Sequence, residues 1–233
     1  MRDGRIDEAS GISRSTYHRG LFFMHNDSGD SARFFAVGQK CRTKAMFRVR
    51  NTSAADWEDM AAGRHHKLWF GDIGDNKTHR SHITLVRVRE PRKMHSRTVH
   101  GTSFQLKYAD GPHNAEALMV QPRSGRIYIV TKAKSGAGIY RAPKHLSKDR
   151  INVLKRVASV PFLVTGADFQ PNGRHFVIRT YSDAYLYSRI RGHGHRIDLP
   201  SQRQGEAIMY TRGGHALRVA SEGVAQPVWR IDR

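Results

Sequence analysis

The sequence holds a single cysteine, Cys41, in 233 residues. That excludes an internal disulfide and any cysteine-rich zinc site. No apolar run approaches the ~18 residues that a membrane-spanning helix needs, and mean hydropathy is −0.62. The opening stretch, Met1 to Gly11, lacks the apolar core of a secretory signal peptide. Also missing are the G-x-S-x-G nucleophile elbow, H-E-x-x-H, the phosphate-binding G-x-x-x-x-G-K-[ST] loop and a full EF-hand loop. No sustained 3.6-residue apolar period marks an amphipathic helix. Acids are scarce: 20 Asp and Glu face 40 Lys and Arg, a net charge of +20. A surface so basic attracts anions, whether nucleic acid, anionic polymers or phosphorylated small molecules.

What the chain does hold is a repeat. Five segments place an acid among small or apolar residues: Glu8-Ala9-Ser10-Gly11-Ile12, Glu58-Asp59-Met60-Ala61, Glu116-Ala117-Leu118-Met119-Val120, Ala167-Asp168-Phe169 and Glu206-Ala207-Ile208-Met209-Tyr210. They recur at intervals of about 40 to 60 residues, the length of a propeller blade with loop variation. Each leads into a turn, such as Pro122 to Gly125, and then a β-like run, such as Ile127 to Val130. A third run follows, as in Gly138 to Arg141, and then a fourth, more alternating one, as in Phe104 to Tyr108. This pattern predicts an all-β chain, a single five-bladed β-propeller of four-stranded blades over residues 1–233. The blades are expected at 8–50, 51–108, 109–160, 161–200 and 201–233. The last unit stops after its third strand at Trp229 to Ile231. Residues 2–6 are therefore expected to close that blade, and to do so incompletely unless the natural chain extends upstream. A β-sandwich or barrel of similar hairpins is the competing fold.

The first strand of each propeller blade lines the central channel. Glu8, Glu58 (or Asp59), Glu116, Asp168 and Glu206 are thus expected to face one axis, with Glu222 beside them. Carboxylates so close cannot all ionise without compensation. Three answers stand open: a hard cation such as Ca²⁺ (or Mg²⁺), the internal cations Lys132 and Arg179, or backbone N–H groups of the neighbouring blade. A second motif, His25-Asn26-Asp27-Ser28-Gly29-Asp30, is echoed by Asp72-Ile73-Gly74-Asp75-Asn76. Asp-x-Gly-Asp gathers two carboxylates in one turn, which suits a divalent cation, although Asx turns use the same residues. The candidate metal ligands are Asp27, Asp30, Glu58, Asp72, Asp75 and Glu116. The candidate catalytic groups are His25 as an acid–base residue, and Lys132 and Arg179 as stabilisers of negative charge. His65-His66 and His193-Gly194-His195 read as surface residues in turns, and Cys41 has no catalytic base near it in sequence. The basic residues spread along outer strands as a solvated rim, leaving non-specific nucleic-acid binding as a weaker alternative.

Taken together, the segments at 8–12, 25–30, 56–61, 71–76, 114–118, 165–168 and 205–208 resemble a bacterial β-propeller family that is common in actinobacteria and often exported. The resemblance spans about residues 7 to 231. It implies the propeller, the importance of the acids and an extracellular location; a chain that truly starts at Met1 without a signal would instead be cytoplasmic. At the level of fold, the acidic axis is similar to propeller phytases, esterase-like phytase-associated proteins and calcium-activated nucleotidases. Two functions follow as expectations. One is a monomeric scaffold that binds metal or an anionic small molecule, polymer or protein. The other is a divalent-metal-dependent phosphoester hydrolase.

Overall fold

A computed structural model describes residues 1–27, 29–160 and 163–233. Ser28 of the His25–Asp30 motif, and Pro161 and Phe162 at the start of the expected fourth blade, lie outside the described residues. The described chain is all β. The first unit comprises β1 (Ala9–Arg14), β2 (Leu21–Asn26), β3 (Arg33–Gly38) and β4 (Thr43–Arg50). The second comprises β5 (Trp57–Gly63), β6 (Lys67–Asp72), β7 (Ile83–Arg89) and β8 (Arg97–Tyr108). The third follows with β9 (Ala115–Val120), β10 (Ile127–Thr131), β11 (Gly138–Arg141) and β12 (Asn152–Ser159). The fourth holds β13 (Val164–Phe169), β14 (Phe176–Thr180), β15 (Asp183–Tyr187) and β16 (His195–Asp198). The last has β17 (Gly205–Tyr210), β18 (Ala216–Ser221) and β19 (Trp229–Asp232). Within each unit, successive strands pair antiparallel.

Turn chemistry sets these hairpins. The first hairpins of four units turn on a glycine with positive φ: Gly20, Gly125, Gly173 and Gly214. In the remaining unit, His65 and His66 take that conformation themselves, each at φ 54°. His66 also stacks on Tyr17, so this pair serves the turn.

The five first strands pack in cyclic order: β1 on β5, β5 on β9, β9 on β13, β13 on β17, and β17 back on β1. The arrangement is propeller-like. Strand alternation builds the walls between units. In β14, Phe176 and Ile178, with Phe169 of the same unit, face Ile139 of the third unit, while Val177 faces Leu217 and Val219 of the last. Phe34, Phe47, Phe70 and Val86 fill the space between the first and second units, and Leu85, Phe104, Leu118 and Ile129 that between the second and third. Phe22, Met24, Ala207 and Met209 close the ring between last and first. Each buried Phe contributes about 1.5–3 kcal/mol.

One sequence expectation needs correction. Among the described residues the last unit ends on its third strand, as expected, but residues 2–6 supply no strand to close it. A local turn prevents it: the Ile6 N–H donates to the Asp3 carbonyl at 3.1 Å, and Arg5 pairs with Asp3. That turn instead drops Ile6 into the core between the last and first units. The Met1 ammonium donates to the Gln226 carbonyl, and the Gly223 N–H to the Asp7 carbonyl. Among the described residues, no helix is long and apolar enough to cross a membrane.

Candidate functional site

Each of the five first strands carries a β-bulge at its second residue: Ser10, Glu58, Glu116, Thr165 and Glu206. A bulge inserts one unpaired residue and re-aims its side chain. The equivalent positions therefore hold three carboxylates and two hydroxyls, which shifts the register expected from charge alone. Glu8 precedes β1 and is exposed, and Asp168 lies further along β13 than the bulge. The hydroxyls tie neighbouring units together: Ser10 Oγ donates to the Glu58 carbonyl, and Thr165 Oγ1 to the Gly205 carbonyl at 2.9 Å.

At this mouth Asp27, Asp56 and Glu58 each offer a carboxylate oxygen, all within 4.8 Å of one another. Local hydrogen bonds position them. The Asp27 N–H donates to the Glu8 carbonyl at 2.9 Å, the Asp56 N–H to Asp72 Oδ1 at 3.1 Å, and Glu58 sits on its bulge. Gly74 backs the cluster so tightly that an added Cβ would collide with Asp56 Oδ2 and Glu58 Oε1. Burial, then the charges of Glu116, Asp27 and Asp56, drive the Glu58 carboxyl far above its ordinary range. Burial and the Asp27 charge push Asp56 up to about 6. An all-carboxylate set in a glycine-backed cradle fits a hard divalent cation.

The rest of the mouth mixes signs. Lys132 Nζ lies 3.0 Å from Glu116 Oε1 and 4.9 Å from the centre of the Tyr181 ring. Burial opposes its charge, but Glu116, Tyr181 and Glu206 outweigh that and raise its pKa. Glu206 Oε1 accepts from Gln204 at 3.2 Å, while Oε2 has no partner among the described residues. Burial pushes Glu206 up to about 8 despite Lys132. Glu222 is raised by burial and by Asp27 and Glu8.

The other sequence candidates are engaged elsewhere. Asp30 accepts from Arg33 at 2.7 Å and from Asn26. Asp72 pairs with Arg80 at 2.9 Å and caps the N–H groups of Ala55 and Asp56. Asp75 caps His79 and Arg80. Asp59, fully buried, accepts from the Leu118 N–H on β9 at 2.9 Å, the cross-unit role foreseen for these acids. Asp168 does the same for Tyr210 at 2.8 Å and binds Arg14 at 2.6 Å. Arg179 is fully buried and donates to the carbonyls of Thr180, Tyr181, Ala207 and Ala220, so it staples the fourth and last units. His25 is also fully buried, its Nδ1 2.7 Å from the Asn26 carbonyl, and burial lowers its pKa to about 4. Sequence reasoning missed Asp56 and Tyr181. Asp56 had a signal: it stands in the acid-dense run Asp56-Trp57-Glu58-Asp59, in a sequence otherwise poor in acids.

No protein-family model matches the sequence, and neither does any curated protein sequence. Solved structures do match. A gluconolactonase from Xanthomonas campestris, described as important in glucose secondary metabolic pathways, superposes with TM-score 0.59 and 12% identity, over 96% of this chain and 71% of its own. A luciferin-regenerating enzyme superposes with TM-score 0.53 and 10% identity, over 99% of this chain and 92% of its own. At such identity the likeness establishes the fold alone, all-β and propeller-like.

Proposed function

We propose that the chain is a five-bladed propeller whose acidic mouth holds a divalent cation, Ca²⁺ by its donor set, and hydrolyses an anionic ester there. The observation that carries this reading is the convergence of Asp27, Asp56 and Glu58 beside Lys132. The three carboxylates would hold the ion, with Glu116 and Glu222 lending negative charge around it. When bound, the cation would act as a Lewis acid on an acyl or phosphoryl oxygen. Lys132 supplies a fixed positive charge for the substrate's anionic group. Glu206, raised to about 8, keeps its proton at neutral pH and can give it to a leaving oxygen. Lactones enter the substrate class through the gluconolactonase likeness, and phosphoesters through the acidic axis.

A second reading is a scaffold without catalysis, favoured by the Glu116–Lys132 pair, which neutralises part of the mouth internally. Its partner would be an anionic small molecule, polymer or protein, with nucleic acid third. The motif resemblance to exported propellers supports work outside the cell.

The test is thermal melting in EDTA, then with Ca²⁺ or Mg²⁺ restored, beside a turnover panel of a lactone, an aryl carboxylic ester and an aryl phosphate. At about 100 times Kd, binding stabilises by about 2.7 kcal/mol, or about 5–10 °C for a chain of this size. We expect a Ca²⁺ shift of that order that Glu58→Gln abolishes, and turnover lost in EDTA. A shift without turnover on any substrate supports the scaffold. No shift from either ion on folded protein makes the acids structural.

A further inference from the structure

The hairpin end of the ring, a strand's length of about 20 Å from the acids, is built quite differently. A cleft of about 650 Å³ lies between the first and last units there. It runs into a second of about 690 Å³, with which it shares Arg19, Gly20, Leu21 and Gln39. Among the described residues, no Asp or Glu lines either one, whereas Arg19, Arg212, Arg218, Arg230, Lys40 and Arg42 all do.

Three of these cations, Arg212, Arg218 and Arg230, have defined contacts. Arg218 on β18 stands directly opposite Arg230 on β19, and like charges opposite each other weaken a strand pair. The Arg218 stem is half-buried, with its guanidinium 5.1 Å from the centre of the Phe22 ring. Arg212 is anchored through Nη1 to the Tyr17 carbonyl at 3.0 Å. Among the described residues Arg19, Arg212 and Arg218 pair with no carboxylate, while Arg230 reaches only Asp232 on the exposed strand.

We propose that this cleft binds a compact ligand carrying several phosphoryl groups. Guanidinium forks match phosphate oxygens two at a time, and a polyanion would relieve the repulsion between Arg218 and Arg230. The volume suits a small molecule. A nucleic-acid strand fits less well: binding of unpaired bases relies on exposed aromatic platforms, whereas Phe22 in the first cleft is 1% exposed beneath Arg218 and the His18 ring in the second is half-buried.

The probe is inorganic tripolyphosphate, titrated calorimetrically into the intact chain in EDTA, so that the result is independent of any cation at the acidic mouth. Arg218→Gln and Arg212→Gln should each weaken binding about tenfold, whereas the exposed Lys148→Gln, outside the cleft, should leave it unchanged. If Arg218→Gln fails to fold by circular dichroism, Arg19→Gln on the exposed hairpin turn carries the test, with several-fold weakening expected. Absence of binding, or equal loss with Lys148→Gln, overturns the proposal. So does tenfold tighter binding of an oligothymidylate, which would assign the cleft to nucleic acid instead.

Discussion

The two ends of the ring crowd charges of opposite sign, and they manage the crowding by different chemistry. At the acidic mouth, Asp56, Glu58 and Glu206 hold protons far above their ordinary range. A carboxylate can discharge itself in this way; a guanidinium cannot, since it stays charged throughout the working pH range. At the hairpin end, relief must come from an anion. Asp168 provides it for Arg14, across two side chains each 7% exposed. Arg19, Arg212 and Arg218 have no such partner among the described residues. One end can wait for a cation by taking up protons; the other keeps its full charge until something negative arrives.

The largest effect should come from breaking the buried Arg14–Asp168 pair. Asp168→Ala strands a buried Arg14 and the Tyr210 N–H, at a cost of about 3–5 kcal/mol read from the urea midpoint. Arg14→Met combined with Asp168→Leu should recover the part of that loss due to the stranded charge, leaving the Tyr210 N–H unpaired. A cost below about 1 kcal/mol for Asp168→Ala would erase the distinction between paired and unpaired arginines.

Next in size is the pH dependence. The folded pKa values of Asp56 and Glu206 lie above ordinary carboxylate values near 4, at about 6 and about 8. Their stabilising contribution is complete below the unfolded values and is lost as pH rises through 6 and then 8. In EDTA the melting temperature should therefore fall as pH rises from about 5 through 8, and Glu58, raised further still, extends the fall above that. Glu206→Gln should make the slope below about pH 8 shallower, and saturating Ca²⁺ should flatten it by favouring the ionised forms. A flat profile in EDTA would mean that the mouth does not store protons.

The smallest effect concerns the hydroxyls among the bulges. Ser10→Ala removes a bond to the Glu58 carbonyl and should cost about 1 kcal/mol while leaving any Ca²⁺ shift intact. Losing the shift as well would make Ser10 part of the ion's surroundings.

Much of this was legible. The repeat of turn and β-like run placed most strands, and Asp27 and Glu58 were singled out from sequence. The register of the channel was not, because matching by charge aligned Glu8 and Asp168 with Glu58. The structural match is Ser10 and Thr165, each followed by a glycine, Gly11 and Gly166. Gly11 leaves room for the His25 ring, and Gly166 lies against the Glu206 carbonyl, contacts that a one-dimensional pattern cannot show. Arg179 misled for a related reason: its position at a strand end suited the axis, but its side chain runs between units to backbone carbonyls. The basic cleft stayed hidden because its arginines lie nearly 200 residues apart, joined only when the ring closes.

The long strand β8 has a consequence for self-association. Its first residues pair in parallel with β4 and its last with β12, while its middle pairs with β7. Three outer edges are thereby covered within one chain. Among the described residues the outer edges of β16 and β19 pair with no further strand, and charged residues occupy both: Arg196 and Asp198 on one, Arg230 and Asp232 on the other. An edge so guarded is a poor template for another copy's strand. Among the described residues, the open outer edges thus belong to two short strands, each four residues long and already defended by charge.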